Sequence, residues 1–491
     1  MSLVIAARAV RDALSRSGEL LSSGTMPDTF TDITDDSRRV TRGALFVAMR
    51  GTAFDGHDYL GAAAAAGAAG AIVEDPSRST LPAFVVHDGR RSGAIAAVEA
   101  FRHPASDLGI VGVTGTNGKT TTVGLLRHLL DENGAEAASI GTLGVLRGSA
   151  GETLPGGGGL TTPGVVELQR VLRQLADSGV RRVAMEVSSH SLDQRRVDGV
   201  TFSAAVFTNV SRDHLDYHQT MEAYVAAKAR LLEYVVADGV VVVNADDPVW
   251  NVLRPTRRQV RFSISGPADV TATSIRSTPR GSEWTLAAGG DSSRVSLPLI
   301  GAFNVANAVG AAAAAWASGL SVRDIAARLS SSPQVPGRLE RLLDRPAVLR
   351  DYAHTPDALE RAIEAVRPFV AGRLIVVFGC GGDRDRGKRP QMGSIAESRA
   401  DHVILTSDNP RTEDPERILD DIEAGMRGRD HERIEDRRAA IARAITIAAP
   451  DDLVLLAGKG HETYQIRGTT SLPFDERVIV REVAQEPAVR R

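Results

Sequence analysis

The chain has 491 residues, of which 43% are hydrophobic and 24% are charged, and its formal net charge is −3. This composition is typical of a globular protein with several cores, and the weak charge with only 4% aromatic residues argues against a nucleic-acid partner. The single cysteine, Cys380, excludes an internal disulfide and favours a reducing, cytoplasmic location. No segment resembles a secretory signal or an apolar span of about 20 residues, so we expect no membrane partner.

The most informative stretch is a glycine-containing loop between a predicted strand, Leu108 to Val113, and a predicted helix, Val123 to Leu130. Residues 114–121 read Thr-Gly-Thr-Asn-Gly-Lys-Thr-Thr. The glycines let backbone N–H groups converge on one point, the lysine adds an ammonium, and Thr120 offers a hydroxyl to Mg²⁺. The loop therefore predicts a nucleotide-phosphate site at a helix N-terminus, although Val113 replaces the first glycine of the strict motif. An incidental glycine-rich turn is the alternative.

The length and the order of predicted elements indicate an α/β protein of three domains. Residues 1–105 predict a small N-terminal α/β domain. Residues 106–335 predict a central domain with a mostly parallel sheet, like that of a P-loop ATPase. Residues 336–491, after a predicted hinge at Pro333–Pro336, predict a doubly wound, Rossmann-like C-terminal domain. Two segments are predicted to be loops, the second of them flexible: Asp32–Arg39 and Gly151–Gly159.

Polar residues at the carboxyl ends of the central strands are candidate ligands. Glu186 ends the predicted strand Arg182–Glu186, where its carboxylate would suit Mg²⁺ beside the phosphate loop. Asp213, His214 and His218 follow the next strand, in a spacing that does not resemble a zinc site and favours Mg²⁺ with one imidazole. A surface carboxylate and a polar surface loop are the respective alternatives.

Two helices carry further candidates. Lys228 lies within the predicted helix Met221–Val235, and on spacing alone a solvated lysine is the favoured interpretation. Asn304 and Asn307 are three residues apart on one face of another predicted helix and could hydrogen-bond a base edge. Helix capping is the alternative for Asn304.

In the third domain, the predicted strands are each followed by loops that contain glycine, aspartate or arginine. Such residues at the carboxyl ends of strands indicate a ligand crevice. Arg384 and Arg411 suit bidentate binding of a carboxylate, with surface ion pairing as the alternative. This pattern supports an ATP-dependent transferase or ligase that closes over a small anionic substrate. The competing class is a nucleotide-dependent switch ATPase, which forms no covalent product and needs no carboxylate-binding arginines.

Several motifs together resemble those of the Mur ligases, the enzymes that extend peptidoglycan precursors. They are Thr114-Gly-Thr-Asn-Gly-Lys-Thr-Thr, Thr161-Thr-Pro, Glu186-Val-Ser-Ser-His, Asp213-His-Leu-Asp-Tyr-His, Asp408-Asn-Pro-Arg and Gly458-Lys-Gly-His-Glu. The matches run in family order from Ser37 to Glu462, so the resemblance covers nearly the whole chain. Folylpolyglutamate synthetase shares the ATP half of the pattern, but it would not explain Asp-Asn-Pro-Arg or the Asp36–Arg38 segment.

The resemblance implies an ADP-forming ligase in which ATP phosphorylates the free carboxylate of UDP-N-acetylmuramoyl-L-Ala-D-Glu. The amine of an incoming amino acid then attacks the acyl phosphate. By the same resemblance, catalysis uses Lys119, Glu186, His214 and Lys228. Magnesium would be held by Thr120, Glu186, His214 and Lys228, the last as a carbamate formed with CO₂. We expect a monomer that works without nucleic acid or membrane.

The resemblance also assigns binding residues, set by set. ATP would contact Gly115, Thr116, Asn117, Gly118, Lys119, Thr120, Thr121, Asn307, Arg338 and Asp351. The UDP-linked substrate would contact Ser37, the Thr52–Phe54 turn, Thr161, Thr162, Ser188, Gln194 and Arg196. The amino acid would contact Arg384, Asp408, Asn409, Pro410, Arg411, Gly458 and Glu462.

Arg411 points to meso-2,6-diaminopimelate as the amino acid. That compound differs from lysine by a carboxylate on its distal carbon, and an arginine at this place has a partner only in diaminopimelate. A site built around a polar partner strongly rejects the analogue that lacks it. L-Lysine is the alternative amino acid.

Overall fold

The computed structural model describes residues 3–51, 54–132, 135–157, 159–428 and 430–485. Its helices are α1 (Ala7–Arg16), α2 (Leu60–Ala65), α3 (Gly89–Ala100), α4 (Lys119–Leu130), α5 (Val165–Asp177), α6 (Ser189–Asp193), α7 (Leu215–His218), α8 (Met221–Ala229), α9 (Ala302–Ala317), α10 (Val322–Ser330), α11 (Pro356–Val366), α12 (Lys388–Arg399), α13 (Pro415–Glu423), α14 (Arg437–Ile447) and α15 (Glu476–Gln485). Thr52 and Ala53 of the turn predicted to contact the uridine lie outside the described residues.

The strands are β1 (Ile5–Ala6), β2 (Leu20–Ser23), β3 (Thr29–Phe30), β4 (Ile33–Thr34), β5 (Leu45–Val47), β6 (Gly70–Val73), β7 (Ala83–Val86), β8 (Gly109–Thr114), β9 (Ala137–Gly141), β10 (Gly144–Arg147), β11 (Glu152–Leu154), β12 (Arg182–Glu186), β13 (Phe202–Phe207), β14 (Val235–Asn244), β15 (Arg258–Ser263), β16 (Val270–Thr278), β17 (Gly281–Ala288), β18 (Asp291–Leu297), β19 (Glu340–Asp344), β20 (Ala347–Asp351), β21 (Leu374–Phe378), β22 (His402–Leu405), β23 (His431–Arg433), β24 (Leu453–Ala457), β25 (Tyr464–Arg467) and β26 (Thr470–Pro473). Within the described ranges, no helix is both long and apolar enough to cross a bilayer.

The chain divides into two compact units. Unit 1 comprises residues 1–210, 218–262 and 310–319, and unit 2 comprises residues 211–217, 263–309 and 320–491. The predicted domain boundaries near residues 105 and 335 stay predictions.

Besides the antiparallel pair β1 and β3, the described part of unit 1 contains two larger sheets. The smaller one has the strand order β2-β7-β6-β5-β4, with β4 to β7 parallel and β2 antiparallel at one edge. The larger one runs β11-β10-β9-β12-β8-β13-β14-β15, parallel from β9 to β15, with the short antiparallel strands β10 and β11 at one edge. Because parallel strands buried on both faces must be apolar, runs such as the four valines at 240–243 are typical of this sheet.

The register of the larger sheet brings the predicted ligands together. Val113 on β8 lies opposite Glu186 on β12, and Thr114 lies opposite Phe207 on β13. The phosphate loop, Glu186 and the residues after Phe207 therefore share one carboxyl edge, as predicted, and this is where open α/β sheets bind ligands.

Unit 2 contains a six-stranded sheet of order β19-β20-β24-β21-β22-β23, parallel except for β19. One face is covered by apolar residues of α11, α12 and α13, and the other by those of α14 and α15. The predicted doubly wound arrangement is therefore present. Unit 2 also contains the antiparallel strands β16 to β18 and a hairpin of β25 and β26.

Several local predictions were wrong. The predicted loop Asp32–Arg39 contains strand β4 and one helical turn, and Glu152–Leu154 of the predicted flexible segment is an edge strand. The helix predicted over Met221–Val235 is present except at its last residue: α8 ends at Ala229, a 3₁₀ helix covers Arg230–Tyr234, and Val235 begins β14. Tertiary pairing overrides helix propensity at these places.

Candidate functional site

The phosphate loop follows β8 and leads into α4, as predicted. Gly115 has a φ of +148°, and a Cβ there would lie 1.9 Å from Thr208 Oγ1, so only glycine fits. Gly118 has a φ of +86° and directly precedes Lys119, the first residue of α4. The two glycines give the loop the tight curl that converging backbone N–H groups require.

Thr208 and Asn209, just after β13, hold the loop in this shape. Asn209 accepts from Thr116 N through its carbonyl at 2.6 Å and from Asn117 N through Oδ1 at 3.1 Å. Asn117 O in turn accepts from Thr208 Oγ1 at 2.8 Å and from Asn209 Nδ2 at 3.1 Å. Asn209 was not predicted as a supporting residue, although its place directly after a parallel strand was a signal.

Lys119 lies over the loop that precedes it. Its Nζ donates to Gly115 O at 3.0 Å and to Thr116 O at 2.9 Å, and Thr120 and Thr121 are buried in the first turn of α4. A phosphate oxygen would be a stronger, charged acceptor for the same ammonium. The loop therefore has the donors that a nucleotide phosphate needs.

Glu186 is buried at the end of β12 and is oriented by Thr142. Its Oε1 accepts from Thr142 N at 2.9 Å, and its Oε2 accepts from Thr142 Oγ1 at 3.1 Å. A Cβ added to Gly141, the last residue of β9, would lie 2.3 Å from Glu186 Oε1. The carboxylate thus reaches its position only because residue 141 has no side chain, and neither Gly141 nor Thr142 was predicted.

Replacing Gly141 by alanine is expected to lower kcat about 100-fold, because the new methyl group displaces the Glu186 carboxylate. Phosphate release at saturating substrates measures the effect. Gly61→Ala is the matched control, since a Cβ at residue 61 meets no atom within 4 Å. An unchanged kcat in a folded Gly141→Ala protein would contradict the role of Glu186.

Lys228 on α8 is only 1% exposed, so its interpretation as a solvated lysine was wrong. Its Nζ donates to Gly115 O at 2.7 Å and lies 4.3 Å from the centroid of the Tyr224 ring. Tyr224 Oη is 3.1 Å from Thr116 Oγ1. Helix α8 therefore carries an amine to the phosphate loop, a placement that spacing along one helix could not reveal.

The residues predicted to hold the muramoyl-dipeptide are close together in unit 1. Thr162 Oγ1 donates to Glu186 O at 2.9 Å and accepts from Ser188 N at 3.1 Å, and Thr162 O accepts from Arg196 Nη1 at 3.2 Å. Arg196 also donates to Gln194 Oε1, at 2.6 Å from Nη2. Thr161 Oγ1 joins the same cluster, because it lies within hydrogen-bond distance, 3.2 Å, of Thr142 Oγ1.

Ser37 and the two histidines have different surroundings. Ser37 is half-buried and begins a one-turn helix of the N-terminal region.

His214 is exposed, has a φ of +53°, and lies in the part of the chain grouped with unit 2. His218 is buried in unit 1, with Nε2 3.0 Å from Ser189 Oγ. In the described part of the chain no group of three His, Cys, Asp or Glu side chains could hold a metal, so the metal role of His214 stays a prediction.

The ATP residues expected in unit 2 lie on α9, on β20 and in the turn before β19. Asn307 is buried, and its Nδ2 is 3.4 Å from Asn304 Oδ1, while Asn304 Nδ2 donates to Ile300 O at 2.8 Å. Asp351 accepts from Leu339 N and from Ala353 N, each at 2.8 Å, and burial raises the pKa of its carboxyl. The Arg338 guanidinium lies 4.8 Å from the centroid of the Tyr352 ring.

The loops after β22 and β24 join four predicted amino-acid contacts into one cluster. Asn409 Nδ2 donates to Glu462 Oε2 at 2.9 Å, and the buried Lys459 donates to Asn409 Oδ1 at 3.1 Å and to Glu462 Oε2 at 3.0 Å. A Cβ on Gly458, whose φ is +113°, would lie 2.5 Å from Asp408 Oδ2. Lys459, which connects the two loops, was not predicted as a site residue.

Asp408 Oδ2 is buried and has no hydrogen-bond partner among the described residues. A buried carboxylate oxygen without a partner is costly, so a donor from a ligand would be stabilising there. An ammonium group has the complementary charge and the hydrogens. The loop after β22 can therefore bind an amine.

Two arginines flank Gly381 in the same region. Arg411 Nη1 donates to Gly382 O at 2.8 Å, and a Cβ on Gly381 would lie 3.0 Å from Arg411 Nη1 and 3.8 Å from Arg384 Cγ. Arg384 is exposed and donates to Asp383 O at 2.9 Å. The two arginine side chains therefore both lie near Gly381, and their role as a carboxylate clamp stays a prediction.

An ion pair between the buried Arg389 and the half-buried Glu413 supports the loop that follows β21. Arg389 on α12 is 0% exposed and donates to both carboxylate oxygens of Glu413, at 2.8 and 3.0 Å, and to Gly381 O at 3.2 Å. The guanidinium lowers the pKa of Glu413 to about 2, so this carboxylate stays charged and also accepts from Asp383 N. Arg389 was not predicted, because nothing in its local sequence marks it as buried.

Three comparisons with known proteins identify the family and the fold. The family models "Mur ligase family, catalytic domain", "Mur ligase middle domain" and "Mur ligase, glutamate ligase domain" match residues 29–108, 113–315 and 337–460. A UDP-N-acetylmuramoyl-L-alanyl-D-glutamate–2,6-diaminopimelate ligase from Synechococcus elongatus is 46% identical over 463 residues, which are 91% of this chain and 92% of that protein.

Solved structures show the same fold. A structure of a ligase with that same name is 35% identical, with a TM-score of 0.64 over 92% of this chain and 94% of that one. A Mycobacterium tuberculosis folylpolyglutamate synthase is 19% identical, with a TM-score of 0.62 over 74% of this chain and 91% of that one, and it shares the fold alone. The predicted α/β fold of the Mur ligases is therefore confirmed. With family models along most of its length and relatives this similar, the chain belongs to the Mur ligase family.

Proposed function

We propose that this chain is an ATP-dependent ligase that adds meso-2,6-diaminopimelate to UDP-N-acetylmuramoyl-L-Ala-D-Glu. ATP transfers its γ-phosphoryl group to the D-glutamate carboxylate, which gives ADP and an acyl phosphate. The amine of diaminopimelate attacks the acyl carbon, phosphate leaves, and the nitrogen loses a proton as the amide forms. Phosphorylation is needed because a carboxylate is a poor electrophile without a leaving group.

The observation that carries the proposal is the combination of Asp408 and Arg411 in one loop. The unpartnered Asp408 Oδ2 suits an ammonium, and the Arg411 guanidinium suits a carboxylate. A diamino acid with a distal carboxylate offers both groups, whereas L-lysine offers only one of them at that end. The relatives named as diaminopimelate ligases support the same choice.

The phosphate loop supplies the electrostatics of the first step. Lys119 and the N-terminus of α4 would hold the phosphates where negative charge develops during the transfer. Thr120 and Glu186 are both buried oxygen donors at the loop's edge, which fits Mg²⁺, an ion that would neutralise phosphate charge when bound.

Lys228 fits this arrangement only after a chemical change. A protonated lysine beside a bound cation would be repelled by it. Reaction of the neutral amine with CO₂ gives a carbamate, whose oxygens carry negative charge and suit a hard cation. We include this modification, together with His214 as a further ligand, in the proposal.

The proposal also covers the residues that bind the UDP-linked substrate and ATP, the location of the protein and its oligomeric state. Thr161, Thr162, Ser188, Gln194 and Arg196 would hold the muramoyl-dipeptide, and Ser37 would hold its uridine end. Asn307, Arg338 and Asp351 would contact ATP. The protein would act as a cytoplasmic monomer, with no nucleic acid or membrane as partner.

Phosphate release with Mg²⁺-ATP and UDP-N-acetylmuramoyl-L-Ala-D-Glu tests the proposal. One reaction receives meso-diaminopimelate and the other receives L-lysine, and mass spectrometry detects the tripeptide product. We expect turnover with diaminopimelate and at least 100-fold less with lysine. Turnover with lysine at a similar rate would refute the selectivity, and no product with either amino acid would refute the ligase.

A further inference from the structure

The hairpin of β25 and β26 holds Arg411 in an unusual backbone conformation. The φ of Arg411 is +52°, in the left-handed region that residues other than glycine seldom occupy. Its N–H donates to Ile466 O at 3.1 Å, and its carbonyl accepts from Gly468 N at 2.7 Å. Such a conformation persists only where its surroundings fix it, and here hairpin residues do so from both sides.

The same hairpin also contacts the residues that precede Arg411. Gln465 Nε2 donates to Asp408 O at 2.8 Å, and Ile466 N donates to Asn409 Oδ1 at 2.9 Å. Gln465 is only 5% exposed, so its amide is buried in this contact. Strand β25 therefore fixes the segment from Asp408 to Arg411 through the Gln465 side chain and through the N–H and carbonyl of Ile466.

This support matters because Arg411 has a long side chain. A change in φ at its Cα would move the guanidinium by several times the displacement of the backbone itself. Arg411 Nη1 now donates to Gly382 O, which orients the guanidinium beside Arg384. A ligand carboxylate can be bound bidentately only while that orientation is kept.

We infer that Gln465 is a positioning residue for amino-acid selectivity, acting through Asp408 O on the direction of Arg411. The ligand class is an α-amino acid with a second, distal carboxylate, so the inference rests on the proposed function. Gln465 itself does not touch the amino acid in this assignment. It keeps the segment from Asp408 to Arg411 in the conformation in which the Arg411 guanidinium can pair with that carboxylate.

Gln465→Met keeps the length of the side chain and removes the amide. Loss of this buried hydrogen bond is expected to raise the KM for meso-diaminopimelate about tenfold. The KM for ATP, the kcat, and the residual kcat/KM with L-lysine should each stay within about twofold. Ser471→Ala is the matched control, because Ser471 is exposed on the partner strand β26.

The outcomes separate the inference from the proposed function. Equal losses with both amino acids, or a fall in kcat with an unchanged KM, would show a merely structural role and overturn the inference alone. A wild-type protein that accepts neither amino acid would overturn both. If Gln465→Met does not fold, Gln465→Glu replaces it, since it keeps the size of the side chain and removes the Nε2 donor to Asp408 O. The same selective rise in KM would support the inference, and its absence would overturn it.

Discussion

Replacing Lys119 by methionine is expected to lower phosphate release about 1000-fold. Methionine keeps the length of the side chain but removes the ammonium that lies over Gly115 O and Thr116 O. Removing one preorganised donor from a developing charge typically costs two to three orders of magnitude in kcat. Initial rates with saturating Mg²⁺-ATP, the UDP-linked dipeptide and diaminopimelate measure the loss.

A folded but inactive protein is the informative result for this variant. Thermal unfolding and binding of the UDP-linked substrate should match the wild type, because Lys119 is half-buried and its Nζ donates to carbonyls of the phosphate loop itself. Arg8→Met is the control for loss of one positive charge, since the Arg8 side chain is 85% exposed. A rate within tenfold of the wild type would contradict the phosphate role of the loop.

Replacing Arg411 by alanine is expected to lower kcat/KM for meso-diaminopimelate at least 100-fold and to leave the residual turnover with L-lysine unchanged. The distal carboxylate would lose a charge-assisted, bidentate partner and remain unpaired in the site. Competition between the two amino acids, followed by mass spectrometry of the products, gives the ratio directly.

The control for Arg411 is another arginine close in sequence. Arg417 is exposed on α13, so Arg417→Ala should change neither rate beyond about twofold. Equal losses with both amino acids in the Arg411 variant would mean that the arginine holds the loop and not the ligand. If the Arg411 variant still preferred diaminopimelate over L-lysine to the same extent, Arg411 would not be the residue that selects diaminopimelate.

The parts of the fold that could be predicted are those in which one local signal dominates. The run Leu453–Ala457 is apolar throughout, and it is a strand of that length, because a parallel strand buried on both faces admits little else. The phosphate loop was predictable because Gly115 and Gly118 adopt backbone conformations that other residues avoid. In the site, the ends of β8 and β12 were predictable because parallel strands share one carboxyl edge.

The parts that could not be predicted depend on distant residues. Strands β16 to β18 were missed, although the alternating burial of β17 is typical of a half-buried strand, because their polar composition does not separate them from loops. The burial of Lys228 depends on Tyr224 and on a loop more than 100 residues away, a contact that no local pattern contains. The same holds for Arg389, whose partner Glu413 lies 24 residues further along the chain.

The placement of the lysines has a practical consequence. The sequence contains only four, and three of them, Lys119, Lys228 and Lys459, donate hydrogen bonds within the two clusters of site residues described above. The fourth, Lys388, donates to His354 O at 2.8 Å. All other basic side chains that stay charged at neutral pH are arginines, which do not acylate under mild conditions. Lys228 and Lys459 are 1% and 0% exposed, so the half-buried Lys119 and Lys388 are the lysines that an amine-directed reagent can reach. Loss of labelling at Lys119, measured against Lys388, therefore reports occupation of the phosphate loop.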